Sequence, residues 1–172
     1  YLTEFYRLSL STGADIIPLE QEFRITESYL EIQKRRYVEY IDYSLDLEGD
    51  SKLVVIPKLT LQPIVENAIY HGLKESKKKG FIKVHGERSG DDYIISVHDT
   101  GRGITPDKIV TILKKENSGS FGLYSINQRL KLLFGEKFGI NIDSEPGVYT
   151  EVSVKIPFTA DKDKLSAENS NS

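Results

Sequence analysis

The apolar residues of this chain change their spacing several times, and the order of those changes restricts the fold more than any other feature. Leu19, Phe23, Ile25, Tyr29, Leu30 and Ile32 recur at helical intervals and predict one buried side of a helix over residues 18–36. Pro18 suits the first helical position, Glu20 and Glu22 the positive end of the helix, and Lys34, Arg35 and Arg36 its negative end. From Tyr37 the interval becomes two. Ile41, Tyr43, Leu45 and Leu47 share one face, and Asp42, Ser44, Asp46 and Glu48 the other, as in a half-buried strand. Gly49-Asp50 turns the chain, Leu53 to Ile56 reads as a short second strand, and Pro57 is expected to open a helix reaching about Leu73.

Residues 81–88 and 92–99 alternate on either side of Ser89-Gly90-Asp91 and predict a hairpin. A glycine-rich stretch over 100–122 follows, with only a short apolar patch at Ile109, Val110, Ile112 and Leu113. A connection this long in a compact domain is usually functional, such as a lid over a ligand. Gly122 opens a helix with Leu123, Ile126, Leu130 and Leu133 inward, Gly135 ends it, and strands near 138–143 and 149–156 close the domain. The expected architecture is α+β: a two-layer sandwich with a mixed β-sheet covered by helices on one face, preceded by helical segments. The expected boundaries are a helical segment over 1–36 (including a short helix over 1–12), a domain over 37–158, and a polar, disordered tail over 159–172. No internal repeat and no parallel βαβ array occurs, which disfavours a Rossmann domain.

Charge narrows the partners. With 23 basic and 26 acidic side chains the chain carries a net −3, which argues against nucleic acid, because phosphate-backbone binding needs a basic face. The absence of cysteine removes disulfides and thiolate metal sites. No apolar run approaches the roughly 20 residues needed to cross a bilayer. The chain has no methionine and opens directly on Tyr1, so it is expected to be part of something longer.

Three segments carry chemistry. In the helix containing Pro63 to Gly72, Asn67 shares a broad face with apolar residues, and a polar group there needs a partner. Its carboxamide oxygen suits Mg, a hard cation that keeps room for phosphates and water, or else it bonds nearby backbone. Asp99-Thr100-Gly101-Arg102-Gly103-Ile104 stands where a strand emerges into a loop. A carboxylate there can accept from an exocyclic amine while two glycines let backbone approach a flat ring; an ordinary Asp-x-Gly turn is the alternative. Ser118 to Leu123 places glycine-rich backbone ahead of a helix start, suited to phosphate oxygens or to simple capping.

The order and spacing of all three resemble the histidine kinase and gyrase-type ATPase superfamily, and specifically the LytS/YesM type of bacterial sensor histidine kinase. Leu61 to Gly72 (LQPIVENAIYHG) is similar to that group's "LQPLVENAIKHG" signature, and Tyr29 to Arg36 (YLEIQKRR) to its "YLEIQKxR" helix; the likeness runs from Tyr1 to Phe158. It implies a Bergerat-type ATP-binding fold with ATP and Mg as ligands. Asn67 would hold Mg, Asp99 the adenine amine, and Gly101, Gly103 and Ile104 the base pocket. Gly119, Gly122 and Leu123 would lie on the phosphate side, with Thr150 near the adenine and His71 on the Asn67 helix. Glu66 either assists the attacking imidazole or holds the helix surface.

Departures from the group sharpen the expectation. Tyr70 stands where lysine is frequent, so a phosphate contact is expected from the lid, for example from Lys114 or Lys115. Ser120 replaces a glycine of the second glycine box. Pro63 stands where hydrolytic branches place a glutamate base, which argues against water activation. The group's phosphoacceptor histidine sits in an upstream segment like "NPHFLFN", absent here, and His71, His85 and His98 are each read as a structural or surface residue rather than a phosphate acceptor. The resemblance therefore implies transfer of the γ-phosphate to an upstream histidine, a response regulator as partner, and a membrane-anchored homodimeric parent of which this is a cytoplasmic part. The alternatives are a degenerate docking module and an anti-sigma-factor-type serine kinase.

Overall fold

The computed structural model describes residue 3 and residues 15–37, 40–49, 51–74, 79–114 and 121–158. The expected helix over 1–12 and tail over 159–172 therefore lie outside the described residues, residue 3 excepted. Strand β1 (Ile16–Pro18) leads into helix α1 (Leu19–Arg36), followed by β2 (Ile41–Leu47), a 3₁₀ turn at Ser51–Leu53 and β3 (Val55–Pro57). Helix α2 (Leu61–Asn67) continues as a π-helical turn over Ala68–Leu73. Then come β4 (Gly80–Ser89), β5 (Asp92–Asp99), α3 (Pro106–Ile112), α4 (Phe121–Phe134), β6 (Gly139–Glu145) and β7 (Tyr149–Pro157).

The main sheet has five strands in the order β2-β4-β5-β7-β6. β2 runs parallel to β4 and the other pairings are antiparallel, so the sheet is mixed as expected. The period-two pattern does its work here. Ile82 and Val84 of β4, Tyr93, Ile95 and Val97 of β5, and Val152, Val154 and Ile156 of β7 are buried in one row, against Leu61, Ile64, Val65, Ala68 and Ile69 of α2 and its π turn and Leu123, Ile126 and Leu130 of α4. The opposite positions, among them Lys83, His85, Glu87, His98 and Glu151, are half-buried or exposed. His98 stacks on Tyr149 with ring centroids 5.2 Å apart, and His85 pairs with Asp46 across β2–β4; both sit on this open face.

Several boundaries differ from the sequence expectation for local reasons. Pro18 is not the first helical residue: it ends β1, where it pairs with Val55, and its extended backbone caps α1. Pro57 likewise ends a strand, a position proline accepts because the small β1–β3 ladder does not need its N–H. Thr60, not Pro57, precedes the Asn67 helix. Leu59 has φ +61°, the only left-handed non-glycine among the described residues, and this kink separates β3 from α2. In α1 the buried side is wider than the apolar stripe: Glu22, Thr26, Ser28 and Gln33 are buried with it, while Ile32 is only half-buried. Leu19, Phe23, Ile25, Tyr29 and Leu30 belong to the same hydrophobic cluster as the sheet.

Candidate functional site

A cavity of about 550 Å³ opens between α2 with its π turn, the C-terminal end of β5, α3 and the start of α4. Its wall on the helix side is Ile64, Asn67, Ala68 and His71, which is a single face at intervals of three and four. Glu66 and Tyr70 lie off that face. Glu66 accepts a hydrogen bond from Gln62 Nε2 at 2.9 Å, and Lys74 Nζ sits 5.0 Å above the Tyr70 ring; neither residue lines the cavity.

Asp99 arrives by the alternation of its strand. Tyr93, Ile95, Val97 and Asp99 are successive inward positions of β5, so the carboxyl occupies the last place of an apolar row, where it is 3% exposed. Thr150 opens the corresponding row on β7 and is its direct cross-strand partner. Both line the cavity. Burial pushes the Asp99 carboxyl up to about 7, against the opposing pull of the Gly101 N–H, which it accepts at 2.9 Å.

The glycines explain how backbone closes on that carboxyl. A Cβ on Gly72 would lie 2.4 Å from Asp99 Oδ1, and a Cβ on Gly101 would lie 2.4 Å from the Gly72 carbonyl carbon. Gly101 thus lies beneath the cavity rather than in its lining. Gly103 has φ +67°, and a Cβ there would fall 2.2 Å from the Glu145 carbonyl oxygen. The loop is stitched on both sides: Arg102 N–H donates to Gly72 O at 3.3 Å, Gly147 N–H to Arg102 O at 2.6 Å, and Ile104 N–H to Ser144 Oγ at 2.8 Å. Ser144 Oγ in turn donates to Tyr149 O and lies 3.2 Å from Thr150 Oγ1.

Of the expected site residues, Asn67, His71, Asp99, Gly103, Ile104, Leu123 and Thr150 converge on this one cavity. Gly122 stands behind it, where a Cβ would meet Pro63 at 3.3 Å. Gly119, Ser120 and Lys115 lie outside the described residues. Among the described residues the cations on the cavity wall are Arg102 and Lys108, and Lys114 is not one of them, because α3 turns the Lys108 side toward the opening. Sequence reasoning gave no site role to Gly72, although it closes the LQPIVENAIYHG string, or to Ser144; Gly72 packs against Asp99, 27 positions later, and Ser144 accepts from Ile104, 40 positions earlier.

Residues 57–160 match the histidine kinase-, DNA gyrase B- and HSP90-like ATPase family. The chain belongs to this family. Within it, the chain is 33% identical over 151 residues to sensor histidine kinase YesM of Bacillus subtilis, covering 88% of this chain and 26% of that protein. It is 35% identical over 172 residues to sensor protein LytS of Streptococcus mutans, covering 95% of this chain and 29% of that protein. An uncharacterised Bacillus subtilis protein, YwpD, is 37% identical over 158 residues, at 90% and 55% coverage. The chain thus spans from about a quarter to about half of the length of these relatives. Among solved structures, the catalytic domain of histidine kinase ThkA superposes with a TM-score of 0.66 at 18% identity, covering 86% of this chain and 97% of that one. Full-length ShkA in complex with AMPPNP gives 0.64 at 17% identity, covering 93% and 35%. The mixed sheet with its helices is therefore the histidine kinase catalytic-domain fold.

Proposed function

We propose that this chain is the catalytic domain of a sensor histidine kinase that binds Mg-ATP in the 550 Å³ cavity and delivers the γ-phosphate to a histidine upstream in the parent protein. The supporting observation is that the Asn67 carboxamide and the Asp99 carboxylate, 32 positions apart, line the same cavity. Two separate cavities would have ended the idea.

The donor set fits Mg. Asn67 offers one neutral hard oxygen from a wall otherwise apolar at Ile64 and Ala68, which leaves coordination positions for phosphate oxygens and water. Bound there, the cation would neutralise charge that builds on the phosphates during transfer. The chain's own residues do the rest. Asp99 accepts from the adenine amine while Val97, Ile104 and Val152 give the ring an apolar bed. Arg102 and Lys108 supply positive charge on the same wall. The reaction forms a bond from an imidazole nitrogen to the γ-phosphorus as the bond to the β–γ bridging oxygen breaks, and ADP leaves. Phosphoryl transfer is mostly positioning and charge stabilisation, so a site with no glutamate base at residue 63 is adequate for it. The partner response regulator and the membrane-anchored homodimeric parent belong to this same reading.

The test has two stages. The chain should bind a non-hydrolysable ATP analogue in a Mg-dependent way, and Asn67→Ala should weaken that binding by roughly tenfold or more. Joined to its parent's upstream helices, it should place acid-labile phosphate on histidine. Label on Ser or Thr would instead favour the anti-sigma-type kinase, and Mg-independent or absent binding a docking module.

A further inference from the structure

We infer that Glu22 and Arg129 are positioning residues that hold the start of the Asn67 helix, tying α1 and α4 to the wall of the nucleotide cavity. The inference rests on the Mg-ATP reading for its functional consequence, but the clamp itself stands on backbone geometry.

The segment from Pro57 to Leu61 connects β3 to the Asn67 helix, and its polar groups are met by side chains from elsewhere in the fold. Glu22, fully buried on α1, accepts the Leu59 N–H through Oε2 and the Leu61 N–H through Oε1, both at 2.9 Å. Arg129 of α4 donates through Nη1 to Lys58 O at 3.1 Å and through Nη2 to Asp15 O at 3.4 Å. Lys58 N–H donates to the same Asp15 O at 2.8 Å, and Thr60 Oγ1 donates to Pro57 O at 2.5 Å. Residues 57–61 therefore have amides held from one element and a carbonyl held from another.

Two observations indicate that this arrangement is imposed. Leu59 sits at φ +61°, a conformation that a branched side chain keeps only where its surroundings over-determine it. A carboxyl with no exposure is costly to bury, and burial does push Glu22 up to about 7 while the Leu61, Leu59 and Thr60 amides pull it back down. Helix α1 needs none of this to pack its Leu19, Phe23 and Ile25. What the carboxyl does is fix where α2 begins, and with it the phase that aims Ile64, Asn67, Ala68 and His71 at the cavity. Arg129 lies on the helix that also sets Leu123 on the opposite wall. A shift of α1, which only the short β1 precedes in the order of described elements, is in this way felt at Asn67 through one carboxyl.

Arg129→Ala, Arg129→Lys and Glu22→Gln in the 172-residue chain test this. The readouts are the backbone amide resonances of residues 67–73 without nucleotide, the melting temperature, and the dissociation constant of a non-hydrolysable ATP analogue with Mg. Arg129→Ala and Glu22→Gln should each move the 67–73 resonances, one or more turns beyond the clamp, and weaken the analogue on the order of tenfold. Arg129→Lys, which keeps one donor, should recover part of both. A merely structural role would lower the melting temperature and leave the resonances and the dissociation constant of the folded protein unmoved, and that result overturns the inference. If Glu22→Gln does not fold, the exposed Arg129 position decides. If the parent chain fails to bind the analogue, the Mg-ATP reading falls, and the resonances alone uphold or overturn the clamp.

Discussion

Replacing Asp99 by Asn should make the chain more stable and less able to hold nucleotide, with the stability gain visible only above acid pH. The carboxyl is 3% exposed, and burial raises it from an ordinary 3.8 to about 7. At roughly 1.4 kcal/mol per pH unit, keeping it ionised in the folded state costs on the order of 4 kcal/mol once the pH exceeds about 7. The sign follows from the raised value. The folded state holds the proton more tightly than the unfolded one, so the contribution of the neutral acid is complete below about 3.8 and is lost as the pH rises to about 7. Asn is neutral throughout, keeps an acceptor for the Gly101 N–H, and fits the same space beside Gly72. It also buries an amide that needs partners, so part of the gain is offset. That offset is the same at every pH, so the gap between variant and parent should widen by about 3 kcal/mol between about pH 4.5 and about pH 8, read by urea denaturation followed by far-UV circular dichroism. The same variant should bind an ATP analogue roughly 10–100-fold more weakly, since a hydrogen bond to a charged acceptor is exchanged for a neutral one. A variant that is destabilised equally at both pH values would refute the reasoning, because burial of charge would then not be the dominant cost at this position.

Two glycine substitutions probe how closely backbone approaches that carboxyl. Gly72→Ala places a methyl 2.4 Å from Asp99 Oδ1, so thermal melts should show a loss of about 1–3 kcal/mol together with loss of analogue binding. Gly103→Ala combines φ +67° with a Cβ 2.2 Å from Glu145 O and should cost clearly more than Gly90→Ala, which has φ +64° but nothing within 4 Å; the hairpin change should cost only about 1 kcal/mol, and equal losses would remove steric closure as the reason for glycine at 103.

Much of the site was readable from spacing because it lies on regular elements. Asp99 is the continuation of the Tyr93, Ile95, Val97 row, and Asn67 shares its helical face with Ile64 and His71, so period two and period 3.6 place both groups without any knowledge of the tertiary structure. What escaped had no local signal. Glu22 looks, in sequence, like one of two acids favouring a helix start, and only the tertiary fold turns it inward onto Leu59 and Leu61. Pro57 opens helices and closes strands equally well, and the left-handed Leu59 that decides between these is invisible in a residue type that rarely adopts it. Of the two lysines expected to reach the phosphates, Lys115 lies outside the described residues and Lys114 is off the cavity wall; the phase of the short α3 helix is set by Ile112 packing into the core, which carries Lys108 round to the cavity. Gly72 entered the sequence reading as the last letter of the LQPIVENAIYHG string, yet its lack of a side chain is required by Asp99, 27 positions later.

The family match begins at residue 57, but the hydrophobic cluster does not. Leu19, Phe23, Ile25 and Leu30 fill it from one side, and β2 covers the edge of β4 along seven paired positions. A polypeptide begun at that homology boundary would carry every residue of the cavity wall and yet leave β4 with a bare row of amides and carbonyls, open to pairing with another chain. The smallest self-sufficient piece of this molecule is thus larger than its recognisable motif, because α1 completes the core and β2 completes the sheet edge.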